Sequence, residues 1–335
     1  MIVNRLAWLA LVSVIVLVLV GATVRVTGSG LGCPDWPFCW GCLIPPTNKS
    51  QIDVTKLDLK KFQRQAIRQG IDPNTITRET ILDNFDPVKT WIEFGNRLTS
   101  LPLGLATLML ALFSLRSKRH RRWIVLLAWL SLLDVLVNAI MGAIVVRSGL
   151  QPGIITLHMG LAFLLIGMLV TVIWLSRPTP GLDTAISSVE KRRLLIISLV
   201  FFTCLFGEGL LGSQLREQTD ELALIAENLT RDQWVIELGA TLIYKIHRSF
   251  SWTLLIASGL LFYRVSRLKH PSMPEPKFIL GLIIAMMLMG VILGHISVFP
   301  IVQVIHVGTT AVLLAVTWHW IVRLWSTDCY GSTLS

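Results

Sequence analysis

The sequence predicts an all-α, polytopic membrane protein whose eight transmembrane helices form two parallel four-helix-bundle repeats. Three observations carry this. Of the 335 residues, 53% are hydrophobic and only 15% are charged, with a mean hydropathy of +0.66, whereas a soluble domain carries about 25% charged residues. Eight stretches approach the roughly 20 apolar residues that a span needs: 6–24, 98–115, 123–146, 153–176, 194–213, 243–263, 278–299 and 301–322. Segment 138–160 aligns without a gap on 286–308, so that the Met-Gly pairs at 141 and 289 and the His-x-Gly triplets at 158 and 306 coincide at an offset of 148. An even number of spans per half makes the halves parallel repeats about an axis normal to the membrane. The expected division is 1–176 for the N-terminal half with a long outer loop (26–92), 177–193 for a cytoplasmic linker and 194–335 for the C-terminal half.

The first stretch is too long in its apolar part, and lacks the Ala-x-Ala pattern, to be a cleaved signal; it is expected to be a retained span. With the N-terminus inside, the inner segments hold fifteen cations against four acids, and the remainder fifteen against sixteen. Positive charge marks the cytoplasmic side, so both termini are expected inside, and the net charge of +10 does not signal nucleic acid. Cys33, Cys39 and Cys42 fall on the outer side, where disulfides persist; Cys204 lies within a span and Cys329 near the inner terminus.

After the first span, the glycines and prolines of 21–39 describe a turn-rich outer loop. Residues 54–69 place Leu59, Phe62 and Ala66 at helical spacing with Gly70 as a stop, and 75–84 makes a second helical piece. These pieces are either a lid over the outer face or ordinary surface helices.

The second span opens on Ile92-Glu93-Phe94-Gly95-Asn96-Arg97, and the sixth on Ile243-Tyr244-Lys245-Ile246-His247-Arg248, an echo at an offset of 151. Glu93, Asn96 and Arg97 stack on one helix face, and ionisable groups entering a bilayer are usually kept for function. Spans two, four, six and eight all run inward, so Glu93, Asn96, His158, His247 and His306 lie within about two turns of the outer helix ends. The repeat sorts them into two pairs, Asn96 with His158 and His247 with His306. A lone intramembrane histidine is usually a buried hydrogen-bonding residue. Matched imidazoles on facing helices are instead how a bundle holds a haem iron axially. Arg97 and Arg248 follow the ligand positions and suit a haem propionate, the alternatives being snorkelling to headgroups or a pair between Arg97 and Glu93. His295 matches Arg147 and supports either a propionate or a surface role. Asp134 and Glu208 are weaker intramembrane candidates, and His120, His270 and His319 lie at the inner side with no assigned role.

The run Gly-Ala-Thr-Val-Arg-Val-Thr-Gly-Ser-Gly-Leu-Gly-Cys-Pro-Asp-Trp-Pro-x-Cys at 21–39, together with Glu93-x-x-Asn96-Arg97, the two His-x-Gly triplets and Ile246-His247-Arg248, resembles the haem A synthase family. This family comprises eight-span inner-membrane proteins that supply cytochrome oxidase, and the resemblance covers nearly the whole chain. It implies oxidation of the ring methyl of haem O to the formyl of haem A. It also implies haem B on His247 and His306, haem O as substrate in the N-terminal half with Glu93 and His158, and Cys33–Cys39 as the outer cysteine pair. The five residues between these cysteines, in a turn-rich loop, allow the short Cα distance a disulfide demands. Expected partners are haem O and the haem O synthase that supplies it, an electron acceptor such as quinone, and membrane lipid; a homo-oligomer is allowed. The expected location is a bacterial inner membrane.

One departure stands out: Asn96 occupies the position of a second substrate-side histidine, a feature that resembles bacteroidete-type members with an extended first loop. Asparagine is a poor iron ligand, so span two is not expected to supply one. Glu93 remains as general base on a nearby water, or as the stabiliser of a cationic intermediate. The rival readings are a quinol-linked b-type cytochrome and a non-catalytic haem-binding assembly factor. Cytochromes of the first kind commonly place two histidines on one helix, whereas here each helix contributes one.

Overall fold

The computed structural model describes residues 1–68, 72–117, 120–151, 153–177, 186–225, 231–268 and 273–331. Among these the structure is helical, with no strand beyond an isolated bridge between Cys39 and Cys42. The α-helices are α1 (Ile2–Val26), α2 (Leu59–Arg68), α3 (Arg78–Asp83), α4 (Pro87–Ser114), α5 (Arg121–Arg147), α6 (Ile154–Leu175), α7 (Ser188–Ile225), α8 (Arg231–Ala240), α9 (Leu242–Arg267), α10 (Glu275–Val291) and α11 (Pro300–Gly331).

Among the described residues, seven helices are long and apolar enough to cross a membrane: α1, α4, α5, α6, α7, α10 with its continuation to Ile296, and α11. The remaining expected span is α9. Its 26 residues reach across a bilayer core, but Ser249, Ser251, Trp252 and Tyr263 dilute its apolar run. Lys245 and Arg248 at one end, and Arg264 and Arg267 at the other, sit where long cationic side chains reach headgroup level. The chain is a multi-pass membrane protein.

Local chemistry sets the helix ends. α1 stops in a Schellman motif: Gly28 takes φ +63°, its N–H donates to the Arg25 carbonyl, and Ser29 N–H donates to Val24. α5 stops the same way, with Gly149 at φ +71° and Leu150 N–H on Val145. At the repeat-equivalent place α10 has Ser297, for which positive φ is costly. The helix widens there into one π turn, Ile292–Ile296, and Ser297 is extended. α4 starts well before its apolar run because Asp86 accepts from Val88 and Lys89 N–H and Pro87 sits in the first turn. Glu93, Asn96 and Arg97 therefore lie within the helix. α7 is longer than the expected span 194–213, and its extension carries Glu217, which accepts from Gly153 N–H and Thr156 Oγ at 3.0 Å each and caps α6 from another helix.

Helices α1, α4, α5 and α6 pack in a closed ring, α1 on α4, α4 on α5, α5 on α6 and α6 on α1. Helices α7, α9, α10 and α11 close a second ring in the same cyclic order. The rings meet where α1 packs on α11, α6 on α7 and α6 on α11. In this seam each His-x-Gly glycine seats a leucine of the other ring: a Cβ on Gly308 would run into Leu19, and one on Gly160 would lie 3.5 Å from Leu210. The packing of one ring on the other thus repeats across the seam, with small residues permitting close approach.

The segment between α1 and α4 builds its own small core from Cys33, Cys39, Trp40, Ile52, Leu57, Ile81 and Phe85, with Phe62 and Phe94 against it. Trp40 is its centre, edge-on to Phe85 at 5.2 Å, with Nε1 donating to Gly32 O at 2.7 Å. The expected helix 54–69 divides into a 3-10 turn at Val54–Lys56 and α2, because Leu57 is extended to reach this core. The proposed stop at Gly70 lies outside the described residues, as does His270. Gly32 is pressed on the first turn of α4: an added Cβ would collide with the Lys89 carbonyl and lie 2.8 Å from Thr90 N. Because those atoms are backbone, Gly32→Ala is expected to cost about 1–3 kcal/mol. Thermal unfolding in detergent checks this against Gly259→Ala, whose Cβ meets nothing within 4 Å; equal transition temperatures would refute it.

Candidate functional site

A cavity of about 1510 Å³ opens between the rings toward the end that carries the 27–86 segment. Ligand pockets usually run to about 300–1,000 Å³, so this one has room for more than one large ligand. Its walls repeat. On α1, Val14, Leu17, Val18, Gly21, Ala22 and Arg25 line it, and on α7 so do Leu205, Glu208, Gly209, Gly212, Ser213 and Arg216, the same positions displaced by 191 residues. Glu93, Asn96, Arg97 and Ser100 of α4 answer to Tyr244, His247, Arg248 and Ser251 of α9. Asn138 and Gly142 of α5 answer to Met286 and Gly290 of α10, and His158 of α6 answers to His306 of α11. The cavity is therefore two equivalent compartments, one per ring, with different chemistry at the matched places.

In the C-terminal compartment His247 and His306 line the same space. In the N-terminal compartment His158 stands over Gly142. The Nδ1 atoms of all three histidines are buried without a hydrogen-bond partner among the described residues, as is Asn96 Oδ1. Orphaned polar atoms inside a bundle are costly. Neutral imidazoles at matched depth, on helices facing a haem-sized space, fit axial ligation of a haem iron. A Cβ on Gly212 would lie 3.3 Å from His247 Cε1, whereas one on the matched Gly21 would meet nothing within 4 Å, so the shorter Asn96 leaves space there.

Glu93 is buried, 3% exposed, and fully engaged. Arg97 Nη2 donates to its Oε1 at 2.6 Å and Cys33 N–H to its Oε2 at 2.7 Å. Arg97 also donates to the carbonyls of Cys33 at 2.9 Å and Phe38 at 3.0 Å. Of the alternatives open in the sequence, the structure shows Arg97 paired with Glu93 and clamping the cysteine loop, while its side chain still lines the cavity. Arg248 lines the other compartment and is exposed. Cys33 and Cys39 form a disulfide with Cα atoms 4.5 Å apart, and Cys42 is free, its backbone paired with that of Cys39. Full alkylation is expected at Cys42 before reduction, and at Cys33 and Cys39 only after it; labelling of both without reductant would rule the bond out.

Among the described residues of 47–86 none lines the cavity wall, whose loop-side lining is Gly30 and Trp36. These pieces pack on the cysteine loop, sharing a core with Cys33, Cys39 and Trp40. Arg147 stacks on Trp36 at 5.5 Å, and its counterpart His295 is exposed and lines the cavity. Asp134 accepts from Asn138 Nδ2 at 3.1 Å. At the opposite end His319 lies 3.0 Å from Arg177 and 3.4 Å from Glu275, and His120 begins α5; both are remote from the cavity. Sequence reasoning missed Arg25 and Arg216, which line the cavity at matched places, with Arg216 Nη2 donating to the Arg25 carbonyl at 3.2 Å. The available signal was Gly-x-x-x-Arg at 21–25 and 212–216.

Fold and site together define a class: a duplicated membrane helix bundle whose rings each enclose a histidine-bearing compartment suited to haem. The chain belongs to the cytochrome oxidase assembly protein family, whose model matches residues 4–318. It is similar to the Heme A synthase of Shewanella oneidensis (26% identity over 70% of this chain and 64% of that one). It is likewise similar to the Heme A synthase of Methylorubrum populi (34%, over 62% and 54%) and to that of Shouchella clausii (24%, over 77% and 74%). In the first two, the match spans less than two thirds of the relative's length.

Proposed function

We propose that this chain carries out haem A synthase chemistry, oxidising the ring methyl of haem O to a formyl group for cytochrome oxidase biogenesis. The carrying observation is the duplicated cavity with unequal ligands. His247 and His306 would hold haem B permanently, and the compartment with His158, Asn96 and Glu93 would receive haem O as a transient substrate. When bound, haem B supplies a redox-active iron that passes electrons onward, and an acceptor such as quinone completes the oxidation.

The chain's own residues do the rest. The apolar walls exclude bulk water and hold the porphyrin faces. Glu93 is the general base on a water beside the ring methyl, or the carboxylate that stabilises positive charge there. Arg97 and the Cys33 amide fix both of its oxygens and so aim it. Arg97 and Arg248 stand at the rim where propionates would lie. The basic end of the bundle would face the cytoplasm with both termini, placing the compartments near the outer face of a bacterial inner membrane, where a haem O synthase can deliver substrate.

The test is co-expression with a source of haem O, followed by haem extraction and mass analysis. Haem A is the expected product. Recovery of haem B and haem O alone would favour the non-catalytic assembly factor, the reading that Asn96 supports.

A further inference from the structure

We propose that Glu208 is a positioning residue that orients His247 for iron and strengthens it as a ligand, an inference resting on the reading of His247 and His306 as haem ligands. α7 passes behind His247 with Glu208 and Gly212 one turn apart on the cavity face. A Cβ on Gly212 would lie 3.3 Å from His247 Cε1 and 3.9 Å from Nδ1. The Nδ1 edge of the ring therefore lies against α7, and the Nε2 edge is turned away from it.

On that inner edge Glu208 Oε1 comes within 3.1 Å of Nδ1. The approach is off the hydrogen-bonding direction, so Nδ1 and Glu208 Oε2 are both buried without a hydrogen-bond partner among the described residues. Ser251 Oγ lies 2.6 Å from Oε1 and 2.7 Å from the His247 carbonyl, tying the carboxylate to the turn that carries the imidazole. A rotation of the ring brings Nδ1–H onto a carboxylate oxygen. A metal-bound histidine characteristically donates its other N–H to such a group, which fixes the tautomer, holds the ring and raises its basicity.

The repeat supplies an internal control. Gly212 corresponds to Gly21 and Ser251 to Ser100, so the glycine and the serine are kept in the N-terminal compartment. His247 corresponds to Asn96 and Glu208 to Leu17. Imidazole and carboxylate are lost together. A carboxylate needed only to build the bundle has no reason to vanish with the histidine, whereas one that serves the histidine does.

The test uses the purified full-length protein with its haem, as wild type, Glu208→Gln, Glu208→Leu and His247→Ala. Glu208→Gln is expected to keep a low-spin haem at a higher midpoint potential, because a neutral amide is a weaker acceptor and leaves the imidazole less basic. Glu208→Leu is expected to release haem to apomyoglobin about 10–100-fold faster than wild type, with Glu208→Gln in between. Wild-type potential in Glu208→Gln overturns the proposal, and this variant alone decides if Glu208→Leu does not assemble. If His247→Ala loses the low-spin signal while both Glu208 variants match wild type, this inference fails and the ligand reading stands. If His247→Ala keeps the full low-spin signal, the ligand reading itself fails.

Discussion

Asn96→His is expected to convert the N-terminal haem site from five-coordinate, or weakly six-coordinate with water, to a low-spin bis-imidazole centre. The side chain at 96 occupies the same wall position as His247, one ring over, so on the proposed reading the helix already aims it at the iron. Space is available, since the matched glycine, Gly21, has nothing within 4 Å. In wild type loaded with haem O, His158 is then the chief ligand, and this haem should exchange faster than the one on His247 and His306. Closing the open position should also weaken binding of added imidazole or cyanide by at least about tenfold, the effect of about 1.4 kcal/mol of competing ligation. EPR and resonance Raman on both proteins decide. Two equivalent bis-imidazole centres in the wild type would defeat the asymmetric arrangement. Because Leu17 stands where Glu208 does in the other ring, the new histidine lacks a carboxylate behind it. Adding Leu17→Glu should lower the midpoint potential of the engineered centre further.

His247→Ala and His306→Ala should each abolish the tightly held low-spin haem. Either change leaves the iron with one imidazole and the opposite wall without a polar group to balance the orphaned nitrogen of its partner. The two variants should fail alike, since the repeat puts the rings at one level on facing helices. Glu93→Ala belongs to the other compartment, where Glu93 is tied to Arg97 and Cys33. It should leave this haem spectrum unchanged while stopping haem A formation. Retention of the full low-spin spectrum in either histidine variant would refute the assignment.

Much of this was legible in the chain. The gapless alignment around the His-x-Gly triplets, and the echo of Glu93–Arg97 in Tyr244–Arg248, pointed to positions that both line the cavity. Other features were not. How Arg97 is held could not be read from spacing, because i, i+4 geometry allows the pair with Glu93 but does not show the carbonyls of Cys33 and Phe38 closing round it. The helical pieces of 47–86 left a lid and ordinary surface helices equally open, and the sequence did not show what they pack on. Their apolar faces turn to Trp40 and Phe85, forming a core with the cysteine loop.

The sequence by itself determined the membrane class, the helical spans, the duplication and the asymmetry of Asn96 against His247. These follow from transfer energies that each residue carries locally, and from identities that survive in two copies. Only the tertiary structure decided that α1 and α7 are equivalent, pairing Leu17 with Glu208 and Arg25 with Arg216. In the membrane-spanning middles of these helices most residues are apolar on every side, because lipid and protein neighbours are alike non-polar. Periodicity therefore cannot tell a lipid-facing side from a cavity-facing one, and the inward face emerges only when the rings close around a common space.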